Sequence, residues 1–415
     1  MPDIYKGMNP NTLPTYKDYP DNPGTFGTSL KLLVDAKQLA ICHMGFRFDS
    51  YMGNCSSFCS YCYARGQNMR YNRWGLDDLK IADLDVVKNE FHKSLEGTNV
   101  FKKGNMLSEF IKHRYPIRMG TQTDCFQEAE KKYKISYRFI NEIMNKYDYP
   151  YVVCTKHKLV ADDEYMELYK GRDNCAFQFT LSTINQDFLN KIERGAASAK
   201  DRLATMKKLS DAGHHVVCRI SPYIPEYMND LPELVNLLAD NGCKHVISEL
   251  LRVTPILNKV LINECGFDAM AKYKAKGAKM SNSYVRYPLA DKIKIQKELA
   301  EMCKAKGMTF ATCADEDPSF HTQDNCCGLD CMKKFSGCPQ TTYDTAWKIA
   351  KANGSVSFDE LIDGRWCPDV KTLRKTWESG YYEHILLNFK YDKDTKRYTF
   401  VEANDILAKA NSLKV

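Results

Sequence analysis

From about residue 38 to about 314 the chain alternates short apolar runs with helix-length stretches, and no other feature constrains its fold as tightly. The apolar runs fall at 39–44, 117–121, 151–155, 175–182, 215–220, 245–250 and 308–313. Between them, 136–146, 200–212 and 231–240 have the spacing of helices, and the last two stop at Gly213 and at Asn241-Gly242. Strands separated by helices predict a parallel sheet with helical crossovers. Six or seven such units predict an α/β fold, a partial or full (β/α) barrel, with chemistry at the C-terminal ends of its strands.

The flanks differ from this core. Residues 1–37 carry Pro2, Pro10, Pro14, Pro20 and Pro23 and read as a wrapping entry segment. The barrel is expected over 38–312 and a cysteine-rich loop over 313–340. Residues 341–415 hold three of the four tryptophans and a hairpin pattern turning at Lys393-Asp394, expected as a small α+β domain.

Seventeen cysteines, an odd number in 415 residues, do not read as the disulfide framework of a small secreted domain. The first residues lack an apolar signal-peptide core, and no run is long enough to span a membrane. The expectation is a cytoplasmic protein with free, catalytic or metal-bound thiols and no membrane partner.

Residues 53–66 read GNCSSFCSYCYARG, placing Cys55, Cys59 and Cys62 in a C-x3-C-x2-C loop. Three close thiolates suit zinc or iron–sulfur chemistry. A structural zinc site needs a fourth ligand, whereas three ligands on a four-iron cluster leave one iron open. A zinc knot and three free cysteines are the other readings of this spacing.

This motif, continued as Cys62-Tyr63-Ala64-Arg65, resembles the radical S-adenosylmethionine (SAM) superfamily, in its spore photoproduct lyase and "DNA repair photolyase" branch. Residues 117–133, 150–160, 177–195 and 202–224 resemble that branch in order. The resemblance implies a [4Fe–4S] cluster on Cys55, Cys59 and Cys62, with SAM on the open iron. It also implies reductive cleavage to a 5′-deoxyadenosyl radical that takes hydrogen from substrate. An electron donor such as flavodoxin or ferredoxin follows. Tyr61 and Tyr63 flank Cys62; Tyr61 is a candidate adenine neighbour and Tyr63 a candidate catalytic residue.

Polar residues at the expected strand ends form the candidate cofactor and substrate lining: Thr121, Thr123 and Asp124, then Lys156, Ser182 and Arg219. Thr180, Ser221 and Glu249 end strands in the same way. Spore photoproduct lyases carry a hydrogen-donor cysteine at the position that matches Thr121. Cys125 is the candidate displaced donor, with a small half-buried residue as the plainer reading.

A second group, Cys313, Cys326, Cys327, Cys331 and Cys338, suggests a further iron–sulfur cluster or zinc site at a barrel exit. The remaining cysteines read as small core residues. The formal charge of +7 is concentrated in residues 251–307, which hold 12 Lys and Arg against 5 Asp and Glu. Lys272, Lys274, Lys276 and Arg286, interleaved with Tyr273, Tyr284 and Tyr287, are candidate nucleic-acid contacts, with a solvated helix as the plainer reading. The sequence thus points to a radical SAM enzyme acting on a nucleobase, a pyrimidine in DNA, in repair or modification. A peptide or small-metabolite substrate, and a non-catalytic iron–sulfur or zinc protein that binds nucleic acid, are the alternatives.

Overall fold

The computed structural model describes residues 13–27, 29–32, 40–71, 73–97, 106–281, 284–313, 317–323, 325–335, 341–364, 366–367, 369–386 and 388–402. Eight strands form the main sheet: β1 (Leu30–Leu32), β2 (Phe46–Phe48), β3 (Ile117–Met119), β4 (Tyr151–Thr155), β5 (Cys175–Thr180), β6 (His215–Tyr223), β7 (His245–Leu250) and β8 (Thr309–Thr312). They lie side by side in chain order, with β1 antiparallel at one edge and β2 to β8 parallel. That sequential order is the topology of a (β/α) barrel, left open between β8 and β1.

Both faces of these strands are covered, which is why they read as continuous apolar runs. Phe177, Phe179, Val216, Cys218, Ile220, Val246 and Phe310 face the helices and belong to the main core. Val152, Ala176, Val217, Ile247 and Ala311, at the alternate positions, face inward and form a separate apolar cluster with Met44, Cys326, Cys327, Leu329 and Phe335.

Two expectations need correction. The apolar run at 39–44 is not the first strand: residues 40–45 are coil, residue 39 lies outside the described residues, and the strand is Phe46–Phe48. Ala40, His43 and Met44 are nonetheless buried, so their apolar character reflects packing without a ladder. Nor does the cysteine-rich segment stay at a barrel exit. After Cys313 the chain returns alongside β8, Thr322 N–H donating to the Phe310 carbonyl over 2.9 Å. Residues 325–335 then pack beneath the N-terminal ends of β6 and β7, where His215 Nε2 lies 2.8 Å from the Gly328 carbonyl oxygen and His245 Nε2 3.1 Å from that of Cys326. Gly328, at φ +67°, is pressed so closely on the His245 ring that a Cβ there would lie 2.3 Å from it.

Beyond residue 341 a helix, Tyr343–Asn353, precedes a three-stranded antiparallel sheet of Ser355–Val356, Phe389–Asp392 and Arg397–Phe400. Trp377 sits fully buried among Phe358, Tyr382 and Tyr398. Trp366 stacks on His113 with centroids 4.4 Å apart and meets Phe110 edge-on, joining this region to the helices around the sheet.

Candidate active site

A short side sheet positions the motif loop. Tyr51–Met52 pairs antiparallel with Lys80–Ala82, and the chain turns at Gly53 with φ +87°. A Cβ on Gly53 would meet the Asp78 carbonyl at 2.0 Å, so only glycine fits. The loop that follows rests on the chain after β5: Ser60 N–H donates to the Ile192 carbonyl at 2.9 Å and Gly195 N–H to that of Ser57 at 3.1 Å. Gly195 is another enforced glycine, since a Cβ there would lie 1.7 Å from the Ser56 oxygen.

Cys55 and Cys59 are buried and Cys62 is half-buried. The three thiols lie within electrostatic reach of one another. Burial, with the Asp124 carboxylate nearby, pushes the Cys55 thiol up to about 11, and burial raises Cys59 as well. Such thiols are bland while protonated and become strong ligands once a cation compensates the thiolate. Backbone amides already point at two of the sulfurs: Asp124 N–H donates to Cys55 Sγ at 3.3 Å and Arg65 N–H to Cys62 Sγ at 3.4 Å.

Charged groups brace the loop from below. Glu264, its side chain 1% exposed, accepts from both terminal nitrogens of Arg65, from Ser60 Oγ at 2.7 Å, and pairs with Arg194 at 3.1 Å. The Arg65 and Arg194 guanidinia lie over the Phe58 ring at 4.4 and 4.9 Å. Beside them Glu193 takes the Tyr61 hydroxyl and pairs with Arg202 at 2.6 Å. Glu193 and Glu264 had no signal in the sequence, being 132 to 204 positions from their partners in the loop, and neither did Arg194 and Arg202, which pair with them.

The strand-end residues converge here in different roles. Thr121 is fixed by Asp49, which accepts from its N–H at 2.8 Å and from its hydroxyl. Thr123 donates to the Tyr51 carbonyl at 2.8 Å. The Asp124 carboxylate ties β3 to β4, accepting from Thr155 Oγ1 and Lys156 N–H, each at 2.7 Å. Lys156 Nζ lies 5.8 Å from the Tyr61 ring centroid; burial works against its charge, but Cys59, Glu193 and Asp124 raise its pKa above the usual lysine value. Tyr63 is 54% exposed and donates to the Thr121 carbonyl at 2.8 Å. Ser182 is buried with its hydroxyl unpartnered among the described residues, and Arg219 lines the inner face of the sheet.

Cys125 takes a different position. It is fully buried in the main core, its sulfur 3.8 Å from the Cys154 carbonyl oxygen, while Cys154, on the inward-facing register of β4, is half-exposed. Cys331 is exposed beneath β6, its sulfur 3.7 Å from His215 Nδ1. Cys338 lies outside the described residues. Among the described residues no three His, Cys, Asp or Glu side chains close around one point as they do around a single metal ion.

In the basic stretch, Lys272, Lys274 and Lys276 are exposed, but Lys276 donates to the Tyr287 hydroxyl at 2.7 Å and pairs with Glu226 at 3.4 Å. Tyr273 and Tyr287 are buried against each other, so of the three tyrosines only Tyr284 faces solvent. Arg286 is half-buried.

Two buried cysteines and a half-buried third, on one loop beside an in-order parallel sheet, point to a class of protein that known families share. Residues 50–238 match the family model of the radical SAM superfamily, and this part of the chain is a radical SAM domain. Its fold is like that of spore photoproduct lyase: a double mutant of that enzyme with bound AdoMet and dinucleoside spore photoproduct has a TM-score of 0.50 and 16% identity, over 66% of this chain and 79% of that one. The uncharacterized protein MJ0683 of Methanocaldococcus jannaschii is 26% identical over 184 residues, 44% of this chain and 61% of that protein. The uncharacterized protein ORF301 of Acidianus two-tailed virus is 23% identical over 265 residues, 60% of this chain and 73% of that protein.

The superfamily implies a [4Fe–4S] cluster and SAM. The loop fits them: three thiols within electrostatic reach of one another, two of them already receiving backbone N–H groups. No described helix is long and apolar enough to cross a membrane.

Proposed function

We propose that this chain is a radical SAM enzyme that takes hydrogen from a nucleobase, a pyrimidine in DNA, in a repair or base-modification reaction. The observation that carries the radical chemistry is the loop of Cys55, Cys59 and Cys62, converged and braced at the strand ends. A cluster held there with SAM supplies one-electron cleavage of SAM and a carbon radical able to abstract hydrogen. The protein orients this chemistry. Asp124 and Arg65 hold sulfurs through their amides, and Glu264 and Glu193 fix the loop against the chain after β5. Lys156 places a persistent cation beside Tyr61, suited to a carboxylate such as that of SAM.

The nucleobase is supported by two features. The solved enzyme of similar fold binds a dinucleoside photoproduct, and this chain's net charge of +7 equals the excess in residues 251–307, where Lys272 and Lys274 are exposed. A base in duplex DNA would have to leave the stack to reach the inner face. Thr121, fixed by Asp49, stands where a donor thiol is expected for spore photoproduct itself, which favours another pyrimidine reaction. An electron donor of the flavodoxin or ferredoxin kind completes the scheme.

The test is anaerobic reconstitution with SAM, dithionite and DNA deuterated at its pyrimidines. Formation of 5′-deoxyadenosine that is lost in Cys55→Ala supports the radical chemistry, and deuterium in that product supports the substrate. Turnover with no label from any DNA rejects the nucleobase.

A further inference from the structure

The inner face of the sheet gathers thiols that the radical chemistry does not use. Cys42 precedes β2, Cys313 follows β8, and Cys326 and Cys327 lie on the return segment, yet Cys42 and Cys313 both pack against the inner apolar cluster that contains Cys326 and Cys327. Cys326 Sγ lies 3.5 Å from His43 Nδ1 and within electrostatic reach of Cys327, Cys313 and Cys42, and Cys313 is also within reach of Cys42. Cys313 continues the inward register of Thr309 and Ala311 on β8. These cysteines differ from Cys175, Cys218, Cys243 and Cys303, which fill the apolar core on the helix-facing side.

Two arginines share the space. Arg118 from β3 and Arg219 from β6 both lie within reach of Cys327, Arg118 also of Cys42 and Arg219 also of Cys313. Arg118 Nε donates to Cys154 Sγ at 3.1 Å, and Arg219 is 8% exposed. Neither makes an ion pair among the described residues, and the nearby Glu249 is held by Arg252 at 2.9 Å and Ser221 at 3.2 Å. A half-buried and a buried guanidinium side by side repel and carry a desolvation cost, and the groups that face them here are thiols.

We propose that Cys42, Cys313, Cys326 and Cys327 hold a second iron–sulfur cluster on the inner face of the barrel, with Arg118 and Arg219 as its counter-charges. Four cysteine thiolates are a full ligand set for such a cluster. Each thiol releases its proton on ligation, and the resulting negative charge would face the two arginines. Zinc fits less well, because one ion draws four sulfurs to about 2.3 Å from a single point. A cluster spreads its ligands over separate iron corners, and among the described residues no three of these thiols close on one point.

The experiment is iron and sulfide analysis of the anaerobically reconstituted full chain, alongside the spectrum of the dithionite-reduced protein. Cys55→Ala, Cys59→Ala and Cys62→Ala combined is expected to keep about half of the wild-type iron and sulfide, with an iron–sulfur spectrum. Adding Cys326→Ala and Cys327→Ala is expected to remove the remainder. Cys313→Ala on the triple variant serves the same purpose at a half-buried position, should the larger change not fold. A folded triple variant without iron or sulfide, or with zinc in their place, overturns the proposal. Failure of the radical reading shows separately, as wild-type protein that holds iron and makes no 5′-deoxyadenosine.

Discussion

Asp124 meets Cys55 through its backbone, the amide donating to Sγ over 3.3 Å while the carboxylate locks Thr155 and Lys156 at 2.7 Å each. The amide's aim therefore depends on a side chain that never touches the sulfur. Asp124→Asn puts an amide NH2 against the Thr155 hydroxyl or the Lys156 N–H, both already donors. The loss expected for such a supporting group is roughly ten- to a hundredfold in cluster affinity. Iron release to a chelator, compared with wild type and followed by absorbance, measures it; unchanged release removes Asp124 from this role.

Glu193 and Arg202, each with a side chain 1% exposed, form a pair at 2.6 Å under the motif loop. Arg202 also donates to the Ala197 and Thr180 carbonyls, each at 2.8 Å. Removing one partner strands a buried charge, which costs about 3–5 kcal/mol. Arg202→Met is expected to lower stability by that amount in denaturant melts, and Glu193→Gln/Arg202→Met to recover part of it. A single variant as stable as wild type shows that solvent reaches the pair.

Cys125 lies on the helix-facing side with no exposed surface, whereas a substrate on the inner face meets the half-exposed Cys154. Cys125→Ala is expected to leave 5′-deoxyadenosine yield and product distribution unchanged, at a stability cost of about 1 kcal/mol for the lost sulfur. A changed product distribution in a variant of normal stability puts Cys125 back among the reacting groups.

The strands were legible because each is a compact apolar run: 151–155 and 245–250 coincide with β4 and β7. The motif loop was legible because its ligands are local. What the sequence hid is tertiary. Arg65 reads as part of a motif, but its partner Glu264 lies on a helix 199 positions away. Tyr273 and Tyr287 have the spacing of a stacking surface and are instead packed against each other, since an amphipathic helix and a binding stripe share one period. The 325–335 segment has no periodicity, and only the burial of Cys326, Cys327, Leu329 and Phe335 takes it to the inner face. The same burial made the run at 39–44 look like a strand.

His321 clamps β8 to the C-terminal region, and its protonation pattern follows from its partners. Thr312 N–H can only donate, so His321 Nε2, 2.9 Å away, accepts, and the ring proton on Nδ1 faces Asp344 Oδ1 at 3.1 Å. Burial works to raise the Asp344 pKa, but the His321 ring and its hydrogen bond, with Lys348 beyond, hold it below the usual aspartate value. A carboxyl with a depressed folded pKa stabilises the fold above its unfolded pKa of about 3.9, and that contribution is lost as pH falls through the lower folded value. Asp344→Asn is therefore expected to be less stable than wild type by about 1.5–3 kcal/mol at neutral pH, the range for a hydrogen bond to a charged group. The gap between the two proteins should stay level down to about pH 5 and close below about pH 4. Denaturant melts of both proteins across that range measure it; a gap that widens on acidification means that Asp344 is protonated in the folded protein and that the clamp is a neutral hydrogen bond.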